Sequence, residues 1–400
     1  MLAATVRLTR DIDLAEDCTQ DAFVKALGAW PAEIPDNPAA WLTTVARRTA
    51  LDRLRRESTL RRKLPLLAVE ALQAEAGIGD DAAALDSTGA EEPADLLRLI
   101  FTCCHPALAQ ESRVALTLRL MCGLTTAEVA GCLLIKETAA AARITRAKKK
   151  IAAAKIPFRI PAAEELPARL DGVLTVVHLV YTAGHTAAGA DLRRTDLTGR
   201  AIDLARMLAM LMPDEPETAG LLALLYLTEA RGASRLGADG ELVLLADQDR
   251  QRWDGRLIAS GIALATDALH RGEGRLTLQA AIAGLHAIAP SWETTDWSQV
   301  ARMYDALMAR WPSPVVALNR VAARSLEPDP PLEELLDELD LLAFEPALRS
   351  YCYLPATRAD VLSRLGRRDL AAEAYDEALA LSANEAERRF LQRRKAALVR

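Results

Sequence analysis

The sequence predicts an all-α chain built from several domains. Three observations carry that expectation. Ala and Leu dominate while aromatic residues make up only 4%, a mixture of strong helix formers. β-branched runs are short, so no segment reads as a sheet core. Apolar positions recur at helical spacing between Pro and Gly breaks along the chain. With 51% hydrophobic and 26% charged residues in a length of 400, the composition is that of a folded chain of roughly two to four domains.

No apolar stretch approaches the length of a bilayer span, and Met1 leads directly to charges at Arg7, Arg10 and Asp11. A cytoplasmic protein without a membrane partner is therefore expected. The six cysteines (18, 103, 104, 122, 132 and 352) form no Cys-x-x-Cys pair and read as buried free thiols. Cys103-Cys104-His105 is the one metal candidate, and vicinal cysteines suit zinc poorly. No metal or other cofactor is expected.

The net charge of −6 conceals a layout. Arg47 to Lys63 holds eight basic residues against Asp52 and Glu57. Arg143 to Arg159 holds seven with no acid, and Leu64 to Leu97 holds eight acids with no Lys or Arg. Two basic segments flanking an acidic one point to nucleic acid.

In chain order, residues 11–30 read as a helix opened by a capping box at Asp13 and Glu16, with Leu14, Cys18, Ala22, Phe23, Ala26 and Leu27 as its apolar side. Asn37-Pro38 starts a second helix to about Arg56, with Leu42, Val45, Ala46 and Thr49 as a buried stripe and Trp41 on that stripe, a core residue first and a stacking platform for a base second. Its arginines must mostly face outward. Residues 65–94 form an acidic linker. Residues 95–156 form a compact unit that ends in a helix-turn-helix: Thr125 to Cys132, a tight link, then Glu137 to about Ala153. Pro157 and Pro161 mark the next boundary. Beyond it the spacing predicts helices over 164–186, 191–212, 216–231, 241–248, 250–271, 273–289, 294–310, 314–325, 331–340, 351–365, 368–381 and 384–398. Gly366, Ala371, Tyr375, Ala378 and Leu379 fit the second half of a tetratricopeptide repeat, so 157–400 reads as a degenerate helical array.

These motifs resemble one family. Asp17-Cys18-Thr19-Gln20-Asp21-Ala22-Phe23 is similar to region 2.2 of sigma factors. Asn37 to Leu42, Ala46-Arg47-Arg48 and Asp52 to Arg56 resemble regions 2.3 and 2.4; Leu116 to Arg119, Gly123 to Ala130 and Arg143 to Lys148 resemble region 4. Phe101 to Pro106 looks like the marker of the extracytoplasmic-function subgroup with a tetratricopeptide-like C-terminal extension. Asp247 to Arg250, Gln279 to Ile282, Thr295 to Trp297, Leu318 to Arg320, Arg358 to Asp360 and Arg388 to Leu391 echo that extension. Three departures stand out: a short first helix of region 2, Ala139 to Ala142 in the recognition helix, and Thr182, Ala183 and His185 where relatives end in Asn-Glu-Gly-Tyr.

The resemblance implies residues 1–64 as region 2, 65–94 as linker, 95–156 as region 4 and 157–400 as extension. It implies a protein that is no enzyme and that works with core RNA polymerase, through its clamp helices and flap, and with promoter DNA. Asp17, Gln20, Asp21 and Phe23 would meet the clamp. Arg47, Arg48, Arg53, Arg55 and Arg56 would contact the −10 element. Lys136, Glu137 and Thr138 would reach −35 base edges, while Arg143, Arg146, Lys148 and Lys149 hold phosphates. The linker would mimic nucleic acid in the polymerase channels, or serve as a tether. The extension would regulate the factor, with a protein or peptide as candidate partner. His178 and His185 share a helix face with Tyr181, a packing arrangement first and a metal or proton site second. A helix-turn-helix regulator that senses peptides through the repeats is the competing reading. It needs neither the clamp-facing helix nor the basic helix behind Asn37-Pro38.

Overall fold

The computed structural model describes all residues except 31–33, 68–92, 134, 186–194, 236–242, 383–384 and 399–400. Among the described residues there are α-helices and short 3-10 turns and no strand. The helices are α1 (Leu2–Thr9), α2 (Ile12–Ala29), α3 (Pro38–Leu67), α4 (Pro93–Cys103), α5 (Gln110–Leu120), α6 (Thr126–Cys132), α7 (Glu137–Ala153), α8 (Leu166–His185) and α9 (Thr195–Leu211). They continue with α10 (Pro216–Glu229), α11 (Gly255–Arg271), α12 (Arg275–Ile288), α13 (Trp297–Arg310), α14 (Pro314–Ser325), α15 (Leu332–Leu342), α16 (Tyr353–Arg364), α17 (Arg368–Leu381) and α18 (Glu385–Ala397). The chain divides into compact units at Met1–Ala201 and Ile202–Arg400. The segment expected to be a linker lies, over 68–92, outside the described residues.

In the first unit α1, α2 and α3 pack against one another. Their shared core is mostly alanine: Ala3, Ala4, Ala15, Ala22, Ala26, Ala46 and Ala50 are buried, with Cys18 and Thr43. Small side chains let helix axes approach closely, and this changes the faces read from the sequence. Phe23 and Leu27, expected on the buried side of α2, are 51% and 78% exposed. The buried stripe of α3 is Thr43, Ala46 and Ala50, while Leu42, Val45 and Thr49 are half-buried. Trp41 is half-buried too, tilted against Trp30 with ring centroids 5.7 Å apart. The start of α2 also differs. Its cap is Asp11, whose carboxylate accepts from the Leu14 N–H at 3.0 Å, and Asp13 and Glu16 are engaged elsewhere.

Helix α4 rests on α1. Asp95, fully buried, joins them through Arg7 at 3.3 Å and Arg98 at 2.6 Å. A buried carboxylate needs such partners. Helix α5 packs on α7 and α8 and also meets α4 and α6.

The second unit is a succession of helix neighbours: α10 on α11 and α12, α13 on α14, α14 on α15, α15 on α16, α16 on α17 and α17 on α18. Buried clusters lie between them, one around Leu335, Leu339, Leu362 and Tyr375, another around Leu278, Val300 and Val316, and a small one of Ala223, Ala265 and Ala280. The helix expected over 241–248 is absent over its described part, which holds a 3-10 turn at Leu245–Asp247. A second 3-10 turn, Arg250–Arg252, precedes α11 where a continuous helix was expected.

One carboxylate organises the α10–α12 contact. Glu217 accepts from the Leu276 N–H (3.0 Å), the Thr277 N–H (2.9 Å) and the Thr277 hydroxyl (2.9 Å), closing the open N-terminus of α12. Replacement Glu217→Ala leaves these donors unpaired and is expected to cost about 1–3 kcal/mol. Chemical denaturation of the full chain checks it, and a loss below ~0.5 kcal/mol would mean that water substitutes for the carboxylate.

Candidate polymerase and nucleic-acid interfaces

The helix-turn-helix forms as its residues dictate. Thr125 accepts from the Glu128 N–H while the Glu128 carboxylate takes the Thr125 N–H at 2.7 Å, a complete capping box. Gly123, with φ of +69°, makes the turn into α6. Val129 and Ala130 of α6, with Ala140, Ile144, Ala147 and Ile151 of α7, form the inner side. That leaves Lys136, Glu137 and Thr138 exposed at the start of α7, with Arg146, Lys149 and Lys150 exposed further along and Arg143 half-buried. Lys150 was not singled out in the sequence, although it continues the same basic run.

Lys148 points elsewhere. Its ammonium meets Asp13 at 2.7 Å and also binds Glu16, both on α2. Burial alone would pull it down, but its hydrogen bonds to Asp13 and Glu16 outweigh that and raise its pKa above the usual lysine value. Arg119 of α5 reaches Glu16 as well, at 3.2 Å. These bridges cross a cavity of about 260 Å³ whose walls include Asp17 and Gln20 of α2 and Ala141, Ile144 and Thr145 of α7.

On α3, Arg48, Arg55 and Arg56 are exposed and Arg47 is half-buried. Arg53 binds Asp21 at 2.6 Å and Asp17 at 3.4 Å, so one expected DNA contact holds two expected polymerase contacts. Its pKa is raised: desolvation opposes the charge, and Asp21 more than offsets it. On α2, Asp17 and Gln20 are exposed and Asp21 is half-buried. Phe23 stands beside Val24 and Leu27, exposed by 67% and 78%, which extends the expected clamp surface into an apolar row.

The residues around Cys103 are structural in this fold. Cys103 and Cys104 are buried, and desolvation pushes Cys104 up to about 11 against the pull of Thr117, Arg113 and Arg169. Cys18 and Cys122 are buried as expected, whereas Cys132 and Cys352 are half-buried; all six are free thiols. Among the described residues no group of three or more His, Cys, Asp or Glu could hold a metal ion. His185 stacks on Tyr181, ring centroids 5.3 Å apart. In the second unit the family-like motifs serve packing. Arg250 donates to the His286 and Ala289 carbonyls and lies over Trp253; Arg320 binds Glu338 and Asp305; Arg358 binds Asp340; Arg388 donates to the Leu379 carbonyl.

Comparison with known families meets this geometry on the same helices. Residues 2–59, spanning α1 and most of α3, match sigma-70 region 2, and residues 98–151 match sigma-70 region 4. The chain belongs to the sigma-70 family. Sigma-70 regions 2 and 4 make it a non-enzymatic transcription initiation factor that works with RNA polymerase and DNA. Residues 169–269 match a family of unknown function (DUF6596). An uncharacterized protein of Rhizobium meliloti (strain 1021) is 39% identical over 397 residues, covering 98% of this chain and 91% of its own. No solved structure matches the chain. No helix among the described residues of this sigma factor is long and apolar enough to cross a membrane.

Proposed function

We propose that this sigma factor is of the extracytoplasmic-function type, acts in the cytoplasm, and carries its own regulator as a tetratricopeptide-like extension from residue 157. Region 2 would bind the polymerase clamp through Asp17, Gln20, Asp21 and Phe23. It would bind −10 DNA through Arg47, Arg48, Arg55 and Arg56, with Arg53 added once it leaves Asp21. Region 4 would read the −35 element with Lys136, Glu137 and Thr138 while Arg143, Arg146, Lys148 and Lys149 hold phosphates. The observation that carries this reading is the capped helix-turn-helix, whose α7 presents Lys136, Glu137 and Thr138 to solvent at the end where base edges are reached. The helical succession in the second unit supports a surface for a regulatory protein or peptide.

The test is run-off transcription by the full chain with core polymerase on a library of promoter fragments. Discrete start sites are expected, and Glu137→Ala is expected to change the preferred −35 base at an unchanged −10 motif. A uniform loss across promoters would remove Glu137 from base reading. Sequence-specific duplex binding without polymerase, and no starts with it, would favour a helix-turn-helix regulator.

A further inference from the structure

Arg250, Trp253 and His286 come together where the 3-10 turn Arg250–Arg252 meets the end of α12. Arg250 links the three. Its Nη1 donates to the His286 and Ala289 carbonyls, and its guanidinium lies 4.6 Å from the centre of the Trp253 ring. Packing uses that nitrogen and leaves others over. Arg250 Nη2, Trp253 Nε1 and His286 Nδ1 are buried and have no hydrogen-bond partner among the described residues. Buried polar atoms are nearly always paired, so three joined through one guanidinium call for a group that the packing does not supply. The cluster is also cationic. Burial lowers the pKa of Arg250 more than the exposed Glu293 raises it. The His286 ring is held down at about 4 by desolvation, and then by Arg231 and Arg250, so it is neutral near pH 7. A neutral imidazole can carry its proton on Nδ1 and donate it, while a guanidinium and an indole N–H only donate. Three donors under two guanidinium charges suit an oxyanion, which accepts several hydrogen bonds at once. The cluster reaches solvent at Arg250 and His286, both half-buried, with the His286 ring stacked 6.3 Å from Trp292 and edge-on to Trp297 at 5.3 Å.

We infer that the second unit binds a small oxyanion, the phosphoryl or carboxylate group of a low-molecular-weight ligand, on Arg250, Trp253 and His286. The site lies wholly within the second unit and needs neither polymerase nor DNA, so it stands or falls apart from the sigma reading.

The experiment is equilibrium dialysis of the full chain against inorganic phosphate and, separately, acetate, at constant ionic strength. Saturable binding at a single site is expected, with phosphate marking a phosphoryl ligand and acetate a carboxylate one. His286→Phe keeps a ring against Trp292 and Trp297 and removes Nδ1. It is expected to weaken binding at least about ten-fold while melting no earlier than the parent in anion-free buffer, because an unpartnered buried polar atom adds nothing to stability. Trp253→Phe keeps a ring under Arg250, loses the N–H and is expected to weaken binding by a similar factor at a temperature where both chains are folded. No saturable binding of either anion would mean that water suffices for the three atoms, and would overturn the site. Binding that either variant keeps at the parent's affinity would place the anion elsewhere, on the exposed arginines of region 2 or region 4, and would overturn it as well.

Discussion

Phe23→Asp combined with Leu27→Asp is expected to lower affinity for core RNA polymerase by at least about 100-fold while leaving the fold intact. Phe23, Val24 and Leu27 stand on the outer side of α2 with half or more of each side chain in water. Apolar side chains exposed side by side are costly to leave uncovered and mark a surface that a partner covers. Nothing inside region 2 depends on them, because the α1–α3 core is made by Ala15, Cys18, Ala22 and Ala26 on the opposite side. Surface replacements of this kind usually change stability by no more than ~0.5 kcal/mol. Fluorescence anisotropy of a labelled chain titrated with core polymerase measures the first effect, and a thermal melt controls for the second. An unchanged affinity with an unchanged melt would take this row out of the interface and leave the acidic edge at Asp17 and Asp21 to carry it alone.

The sequence announced some elements because their signals are local. Thr125 to Glu128 read as the cap of a short helix and form a capping box there; Asn37 caps α3 by accepting the Ala40 N–H at 3.0 Å. Asp13 and Glu16 show the limit of such reading. The spacing that fits a capping box also puts two carboxylates one turn apart on a helix face, and only the position of Lys148 decides which it is. The core of region 2 was legible only in part: Cys18, Ala22, Ala26 and Ala46 are buried where the sequence puts an inner side, but Phe23 and Leu27 are not. Hydrophobicity favours Phe23 and Leu27 over Ala22 and Ala26, but three closely approaching helices leave room only for the smaller pair. Lys148 could not be told from Lys149 by composition. It lies four residues after buried Ile144 and three before buried Ile151, at the edge of the inward stripe, while Lys149 faces solvent. In the second unit, Arg250, Arg320 and Arg358 belong to motifs that echo the extension in sequence, and in the fold they hold carbonyls and carboxylates. A charged residue kept for packing and one kept for a ligand have the same letter.

A chain ending at residue 160, where the prolines invite a cut, is expected to be far less stable than the full chain and to expose Cys103 and Cys104. Helix α8 belongs to the first unit and packs on α4 and α5. Arg169 donates to the Phe101 carbonyl at 2.6 Å, and Gly172 lies against the Cys104 carbonyl, where a Cβ would come within 3.8 Å. Leu170, Val173, Leu174 and Val177 are buried along the same helix. Each such side chain contributes about 1.5–3 kcal/mol when fully buried. Removing the helix therefore costs an amount comparable with the whole stability of an ordinary domain, about 5–15 kcal/mol. The two vicinal thiols report on it directly. In the folded chain they are enclosed, and Cys104 is held up at about 11 by desolvation, so alkylation near neutral pH should leave both untouched. The shortened chain should lose its cooperative melt and be alkylated at both. Arg169→Ala in the full chain should fall between the two, losing about 1–3 kcal/mol with partial protection. Were the shortened chain to melt as sharply as the full one with both thiols silent, α8 would be a passenger on region 4, and the turn from Phe101 to Pro106 would need another explanation than as its seat.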